Sequence, residues 1–280
     1  MKTVVSGVSK EVWITDDGPT VLIGERINPS GRRSLAEALR NGNFEVIVKE
    51  AVAQVEAGAD ILDVNVACPG VDEIAVLPQV LEKATASVDV PLCIDFNHPD
   101  ALREALRVYK GKPIVNSVTG EENSLNEILP LVRKHSAAVI GLTLDEGGIP
   151  KDPGQRLAIA RKILERASSF GIPSEDVIID CLALTVGADS QAGLTTLDAV
   201  RKVKEELGVN QTLGASNISF GLPERNLINH TFLTLAISSG VTCPTVDVAG
   251  VRPAILSIDL LLGRDRFAQR YLRNFRRRNP

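Results

Sequence analysis

Short β-branched segments alternate with longer segments of helical periodicity along almost the whole chain, and the alternation occurs eight times. Such alternation is typical of a parallel sheet, because each crossover helix returns the chain to the same end of the sheet. The predicted strands are residues 21–27, 59–66, 91–96, 113–118, 137–144, 176–182, 211–216 and 243–248. Eight parallel strands favour an α/β fold of the closed (β/α)8 TIM barrel type.

The segments between these strands carry apolar stripes and helix start and stop signals. The predicted helices are residues 43–57, 72–87, 98–108, 122–135, 153–170, 195–207, 224–239 and 251–276. Asp152 before Pro153 is typical of a helix start, and Gly58 is typical of a helix end. A doubly wound sheet shows the same alternation, but the turn GERINPSGRR after the first strand lacks the GxGxxG pattern of that fold. We predict one barrel domain over residues 1–280, with residues 1–20 as an N-terminal extension that adds a strand or plugs the barrel.

Composition is that of a globular protein with a large core, since 44% of the residues are hydrophobic and 24% are charged. The sequence has neither an apolar run long enough to cross a membrane nor a signal-peptide pattern, so we expect a cytoplasmic protein. The net charge of −4 argues against general binding to nucleic acid. Arginines crowd the C-terminus and are expected on a solvated helix or on a docking face for an acidic partner. They are Arg264, Arg266, Arg270, Arg273, Arg276, Arg277 and Arg278.

Cysteine and histidine positions give no metal-ligand spacing, so we expect no protein-bound metal. The cysteines form no CxxC pair and are expected to be buried and reduced. They are Cys68, Cys93, Cys181 and Cys243. The histidines His98, His135 and His230 fall on predicted helices or at their edges, where a barrel does not place strand-borne metal ligands.

Polar residues follow the predicted strands at their carboxyl ends, where the loops of a barrel carry its chemistry. Acidic and amide side chains dominate the set, which contains Glu25, Arg26, Asn28, Asp63, Asn65, Asp95, Asn97, Asn116, Asp180, Ser216, Asn217 and Asp247. The set lacks lysine and histidine, which argues against a Schiff-base aldolase and a histidine metal site. A flat heterocycle with adjacent N–H donors and a carbonyl suits such groups, because a carboxylate accepts two parallel hydrogen bonds and a carboxamide both donates and accepts.

Asp95, Asn116 and Asp180 end apolar runs, where an unpaired carboxylate would be costly, and we therefore predict that they bind a ligand. Capping a strand or orienting a loop is the alternative role for residues of this kind. For Asp63 and Asp145 the structural and functional interpretations are equally favoured.

Ten segments, taken in order, resemble the pterin-binding methyltransferases, a group with a dihydropteroate synthase-like barrel. They are IGERIN (23–28), ILDVNV (61–66), LCID (92–95), IVNS (114–117), AAVIGLT (137–143), GIPKD (148–152), VIID (177–180), GASNIS (214–219), RNLINHTFL (225–233) and GVTCPTVD (240–247). The resemblance implies that Asp95, Asn116 and Asp180 hold a pterin ring and that Asn217 lies near its N5 as the catalytic residue. By the same resemblance, the pocket is also lined by Gly214, Ser216 and Arg225. Further candidates come from the strand ends alone: Glu25, Asn28, Asp63, Asn65 and Asn97.

The resemblance also implies an activity: transfer of a methyl group between N5 of tetrahydrofolate and the cobalt of a corrinoid cofactor. The sequence shows no cobalamin-binding DxHxxG segment, so the corrinoid is expected on a separate protein. The family further implies a homodimer. The sequence departs from the family at Phe220, where a glutamine often stands, and in IIDCLALTVG after the sixth predicted strand.

Two other functions stay open at this point. Dihydropteroate synthase shares the pterin barrel, but its first loop resembles NVTPDSFSDGG and it carries a late lysine, whereas this chain has ERINPSGRRSL and GASN. A non-catalytic folate-binding barrel is the other alternative. Loss of methyl exchange in Asn217→Ala without loss of pterin affinity would exclude it.

Overall fold

The computed structural model describes residues 1–278, and residues 279 and 280 of the predicted domain lie outside the described residues. Eight strands make up the barrel: β3 (Ile23–Ile27), β4 (Ile61–Val64), β5 (Leu92–Asp95), β6 (Ile114–Thr119), β7 (Ala138–Leu142), β8 (Val177–Asp180), β9 (Gln211–Thr212) and β10 (Thr245–Val246). The α-helices are α1 (Arg33–Arg40), α2 (Glu45–Ala57), α3 (Glu73–Ser87), α4 (Pro99–Val108), α5 (Glu122–Lys134), α6 (Pro153–Ser169), α7 (Ala192–Leu207), α8 (Arg225–Ser239), α9 (Val248–Leu261) and α10 (Gln269–Arg278).

The barrel strands form one parallel sheet in the order β10-β3-β4-β5-β6-β7-β8-β9. Its two end strands also meet. The N–H of Thr245 donates to the carbonyl of Leu213 at 3.0 Å, and Gly214 bridges to Thr245 in parallel. The prediction of a (β/α)8 barrel is therefore confirmed.

Helix ends agree with the local sequence signals. The Asp152 carboxylate accepts from the N–H of Gln155 at 2.8 Å, and Pro153 occupies the first turn of α6. Gly58 ends α2 with a φ of 105°, a left-handed conformation that a residue with a Cβ rarely adopts.

The barrel interior is built in layers along the strands. Buried apolar side chains form the lower layer: Ile23, Ile61, Cys93, Ile114, Ala138, Ile140, Ile178 and Cys243. Side chains alternate between the two faces of a strand, so the residue two positions further along points into the barrel again. On five strands that residue carries a carboxyl or carboxamide group, giving an upper layer of Glu25, Asp63, Asp95, Asn116 and Asp180. Strand periodicity therefore places the predicted pterin-binding trio at one end of the barrel.

A hairpin closes the other end. Strands β1 (Lys2–Ser6) and β2 (Glu11–Thr15) pair antiparallel, and their Val5 and Ile14 side chains are fully buried in the lower apolar cluster. Asn210 holds the hairpin through its Nδ2 atom, which donates to the Ile14 carbonyl and to Thr3 Oγ1, each at 2.9 Å. Residues 1–20 thus contain a separate two-stranded hairpin, where an extra strand or a plug was predicted.

The prediction of one last helix over 251–276 is wrong. The structure has two helices, because Gly263 has a φ of 74° and Asp265 caps a new helix by accepting from the N–H groups of Arg270 and Tyr271. The prediction of a strand over 211–216 is too long, since Ala215–Ser219 form a 3-10 helix. Helix α1 was not predicted.

Three of the four cysteines are buried as expected, whereas Cys68 is only half-buried, which corrects the prediction for that residue. Among residues 1–278, no helix is both long enough and apolar enough to span a bilayer.

Candidate functional site

Four polar side chains form two hydrogen-bonded pairs at the ends of β4, β5 and β6. Asp95 and Asn116 are register partners on neighbouring strands. Asn65 Nδ2 donates to Asp95 Oδ2 at 2.8 Å, and Asn116 Nδ2 donates to Asp63 Oδ1 at 3.1 Å. Asn65 also accepts from the N–H of Ala67 at 2.7 Å, which orients its amide. Asp63 and Asn65 therefore orient the amide and carboxylate that are predicted to bind the ligand.

Asp63 and Asp95, the carboxylates of these two pairs, influence each other's protonation because both are buried. Burial raises the pKa of both Asp63 and Asp95, and the Asp95 charge raises the pKa of Asp63 further. The hydrogen bond from Asn65 acts in the opposite direction and favours the ionised form of Asp95. Asp63 is the more deeply buried of the two. The pair therefore favours a protonated Asp63 beside an ionised Asp95, which can accept hydrogen bonds from ring N–H groups.

Asp180 faces the same interior from β8. Its Oδ1 atom accepts from the N–H of Leu182 at 2.7 Å, and the N–H of Gly214 also bonds to the carboxylate. Burial raises the pKa of Asp180 from 3.8 to about 6 in spite of these bonds and of the nearby Arg156 charge. The cost of keeping this carboxylate buried argues for a binding role over a purely structural one.

A polar groove of about 560 Å³ opens beside this interior, between the loops that follow β3 and β9. Its lining residues are Glu25, Arg26, Asn28, Ser30, Arg32, Ser216, Asn217, Phe220, Arg225, Asn226, Asn229 and Asp247. Burial and the neighbouring Asp247 carboxylate raise the pKa of Glu25 from 4.5 to about 7, although Arg26 and Arg225 lower it. Arg26 Nη1 lies 3.6 Å from Asp247 Oδ2. Glu25 is consequently able to hold or release a proton near neutral pH.

The predicted catalytic residue Asn217 lies in the 3-10 helix after β9, where its side chain is exposed to the groove. Arg225 ties this helix to the start of α8, because its Nη2 atom donates to the Ser216 carbonyl at 2.8 Å and its Nε atom donates to Ser219 Oγ at 3.1 Å. Gly214 precedes the helix and approaches Asn217 closely, since a Cβ there would lie 3.2 Å from Asn217 Nδ2.

Three further candidates have different surroundings. Asn28 lies at the groove, where its side-chain Oδ1 atom accepts from the N–H of Ser30 at 2.9 Å in a local turn. Asn97 is exposed in a separate side groove with Cys68 and His98, and its N–H donates to Glu73 Oε1 at 2.8 Å. Asp145 accepts from the N–H of Gly147 at 2.9 Å, which is a turn-forming role. The structure thus places Asn28 at the groove, whereas Asn97 lies outside both the groove and the two hydrogen-bonded pairs.

Sequence reasoning did not identify two buried residues that support the site. Arg156 is 1% exposed and donates through Nη1 to the carbonyls of Cys181 at 2.6 Å and Leu182 at 2.8 Å, directly after Asp180. Gln54 Oε1 accepts from the N–H of Arg26 at 2.9 Å. Their positions in the sequence could have revealed them, because Arg156 falls on the apolar stripe of α6 and Gln54 on that of α2. Within residues 1–278, no group of three or more His, Cys, Asp or Glu side chains is arranged to hold a metal ion.

Comparison with known proteins identifies the family of the chain. The sequence profile described as pterin binding enzyme matches residues 24–247, which span β3 to the residue after β10. The chain belongs to this family of pterin-binding enzymes, as the resemblance predicted.

Two relatives of known activity are similar to the chain in sequence. A methylcorrinoid:tetrahydrofolate methyltransferase of Eubacterium limosum is 29% identical over 263 residues, which cover 91% of this chain and 96% of that protein. A methionine synthase of Mycobacterium tuberculosis is 28% identical over 262 residues, which cover 89% of this chain and 22% of that protein. The chain therefore matches the first relative over nearly its whole length and spans about a fifth of the second.

Solved structures of dihydropteroate synthase share the fold. The enzyme from Xanthomonas albilineans with 4-aminobenzoic acid has a TM-score of 0.72 at 20% identity, covering 93% of this chain and 98% of that chain. The Yersinia pestis enzyme with a pterin-sulfa conjugate has a TM-score of 0.71 at 15% identity, covering 94% and 100%. At these identities the likeness concerns the barrel architecture alone.

Proposed function

We propose that this protein transfers a methyl group between N5 of tetrahydrofolate and the cobalt of a corrinoid carried by a partner protein. The observation that carries the proposal is the polar layer at one end of the barrel, where Asp95, Asn116 and Asp180 lie on strands β5, β6 and β8. The Eubacterium limosum relative, named as a methylcorrinoid:tetrahydrofolate methyltransferase, matches the chain over nearly its full length.

The polar layer suits the aminopyrimidinone edge of a pterin. Ionised Asp95 can accept from ring N–H and amino groups, since Asn65 holds one of its oxygens and, among the described residues, the other has no hydrogen-bond partner. Asn116, oriented by Asp63, offers its amide oxygen to a donor. Asp180 provides a second carboxylate, anchored by the N–H groups of Leu182 and Gly214. Together they form complementary hydrogen-bonding groups for one flat heterocycle.

Asn217 is proposed to act at N5. When Co(I) removes the methyl group, electron density builds on N5, and a nearby donor or proton lowers the barrier. The carboxamide donates a hydrogen bond most strongly as this density develops, so its contribution falls mainly in the transition state. In the reverse direction the N5 lone pair attacks the methyl group, the Co–C bond pair stays on cobalt as Co(I), and N5 loses its proton. No covalent bond to the protein forms in either direction.

Glu25 is the proposed proton acceptor and donor for this exchange, directly or through water. It lines the same groove as Asn217, and its pKa of about 7 allows it to take a proton in one direction and to return it in the other. The neighbouring Asp247 carboxylate raises the pKa of Glu25, and the Arg26 guanidinium lowers it.

The test is anaerobic mixing of the protein with methylcobalamin and tetrahydrofolate. The proposal expects the absorbance of Co(I) to appear with an equal amount of 5-methyltetrahydrofolate. Folate binding without any exchange, with either methylcobalamin or a methylated corrinoid protein, would instead support a non-catalytic barrel. Release of diphosphate from a pterin diphosphate would support a dihydropteroate synthase. The expected homodimer and the cytoplasmic location stay predictions.

A further inference from the structure

Phe220 is an exposed aromatic residue at the rim of the groove. Its side chain is 69% exposed, whereas burial is the usual environment of a large apolar ring. Among the described residues that line the groove, it is the only apolar one. What distinguishes this ring from other exposed apolar residues is its place in the groove that Asn217 and Glu25 also line, where it can contact an apolar part of a bound molecule.

The position of this ring is constrained by its neighbours. Thr185 Oγ1 donates to the Phe220 carbonyl at 2.8 Å, and the N–H of Phe220 donates to the Asn217 carbonyl at 3.2 Å. The Arg225 guanidinium lies 5.9 Å from the ring centroid and is itself held by Ser216 and Ser219. The ring is therefore presented on a hydrogen-bonded loop, three residues from Asn217.

We propose that Phe220 binds the corrin ring of the incoming corrinoid, and this inference rests on the proposed methyl transfer. The methyl group on N5 lies within the barrel, so the cobalt must approach along the groove and the broad corrin must cover its rim. The faces and methyl groups of a corrin are apolar, and burying Phe220 against them would stabilise the complex. The same contact would exclude water from the path of the methyl group.

The experiment compares Phe220→Ala and Phe220→Leu with Phe267→Ala. Phe267 is a matched control, because it is 77% exposed and its ring centroid lies 5.2 Å from the Arg266 guanidinium, but it lines a different cavity, together with Leu272. Three quantities are measured for each protein: the Kd for methylcobalamin by equilibrium dialysis, kcat/KM for methylcobalamin in the exchange assay, and the Kd for tetrahydrofolate by calorimetry.

We expect Phe220→Ala to weaken methylcobalamin binding and to lower kcat/KM about tenfold, which corresponds to ~1.4 kcal/mol. Phe220→Leu should recover part of this loss, because it restores apolar area without the aromatic ring. The Kd for tetrahydrofolate should stay within about twofold, and Phe267→Ala should match the wild-type protein in all three measurements.

Two results would overturn the inference. Unchanged methylcobalamin affinity in Phe220→Ala would show that the Phe220 ring does not contact the corrin. A tenfold weaker Kd for tetrahydrofolate, with methylcobalamin affinity unchanged, would assign the ring to the benzoyl part of the folate instead. Failure of the proposed function is distinguishable, because it would show as wild-type protein that binds methylcobalamin but catalyses no exchange.

Discussion

The two ends of the barrel bury different kinds of side chain. At the hairpin end, Val5 and Ile14 extend the apolar interior, and their burial stabilises the fold. At the opposite end, Asp63 and Asp180 are buried, and burial raises the pKa of both because it disfavours their ionised forms. The comparison shows that the barrel strands bury apolar side chains toward the hairpin end and, two residues further along, the polar side chains of the proposed binding site.

The largest expected effect lies at the hairpin end. Ile14→Ala removes a fully buried side chain, so the free energy of unfolding should fall by about 2–5 kcal/mol. Its neighbour Trp13 is 57% exposed, and Trp13→Ala should cost less than about 1 kcal/mol. Urea denaturation measures both. The Kd for tetrahydrofolate of folded Ile14→Ala should be unchanged, and a weakened Kd would contradict the separation of the two ends.

The next effect concerns the rate of methyl transfer. Asn217→Ala removes the donor at N5 and should lower kcat about 100- to 1000-fold, because the lost hydrogen bond acts mainly in the transition state. The affinity for tetrahydrofolate should change little. Stopped-flow measurement of Co(I) formation, with exposed Asn41→Ala as control, checks this. An equal loss of affinity and rate would mean that Asn217 holds the ground state instead.

Binding affinity should respond to the carboxylates of the polar layer. Asp95→Ala and Asp180→Ala should each weaken tetrahydrofolate binding by about 1.5–3 kcal/mol, because each removes charge-assisted hydrogen bonds. Asp145→Ala is the matched control, since that carboxylate follows β7 but accepts from the N–H of Gly147 in a turn. If calorimetry finds unchanged tetrahydrofolate affinity in both Asp95→Ala and Asp180→Ala, the pterin does not bind at this end of the barrel.

The smallest effect is a gain of stability. The pKa of Asp180 is raised from 3.8 to about 6, so the folded protein binds more protons than the unfolded chain between these values, and this residue's contribution to stability falls as the pH rises through them. Asp180→Asn removes this penalty. We expect its free energy of unfolding to exceed that of the wild-type protein by about 1–2 kcal/mol at pH 8, and by less at pH 4.5. A gain independent of pH would show that the charge is not the cause.

Much of the fold follows from local sequence patterns. The eight strands and the start of α6 at Asp152 could be predicted, because strand periodicity and capping residues act over short distances. The division of the last helix could not, since it depends on Asp265 accepting from two N–H groups rather than on the apolar stripe alone.

The candidate site was predictable only in part. Asp95 and Asn116 are register partners because they end neighbouring strands, and this follows from the order of the strands. Burial raises the pKa of Glu25, and Asp247 raises it further; Asp247 directly follows the last strand of the barrel, which meets the first strand only when the barrel closes. Arg156 was missed because a charged residue within an amphipathic helix is ordinarily assigned to the surface.

The most direct test of the central claim is a crystal structure of the protein with tetrahydrofolate bound. We predict that the pterin ring lies within hydrogen-bond distance of Asp95, Asn116 and Asp180, with N5 directed toward Asn217 and Glu25. A pterin bound in the side groove lined by Cys68 and Asn97, with the three strand-end residues making no contact to it, would contradict the account.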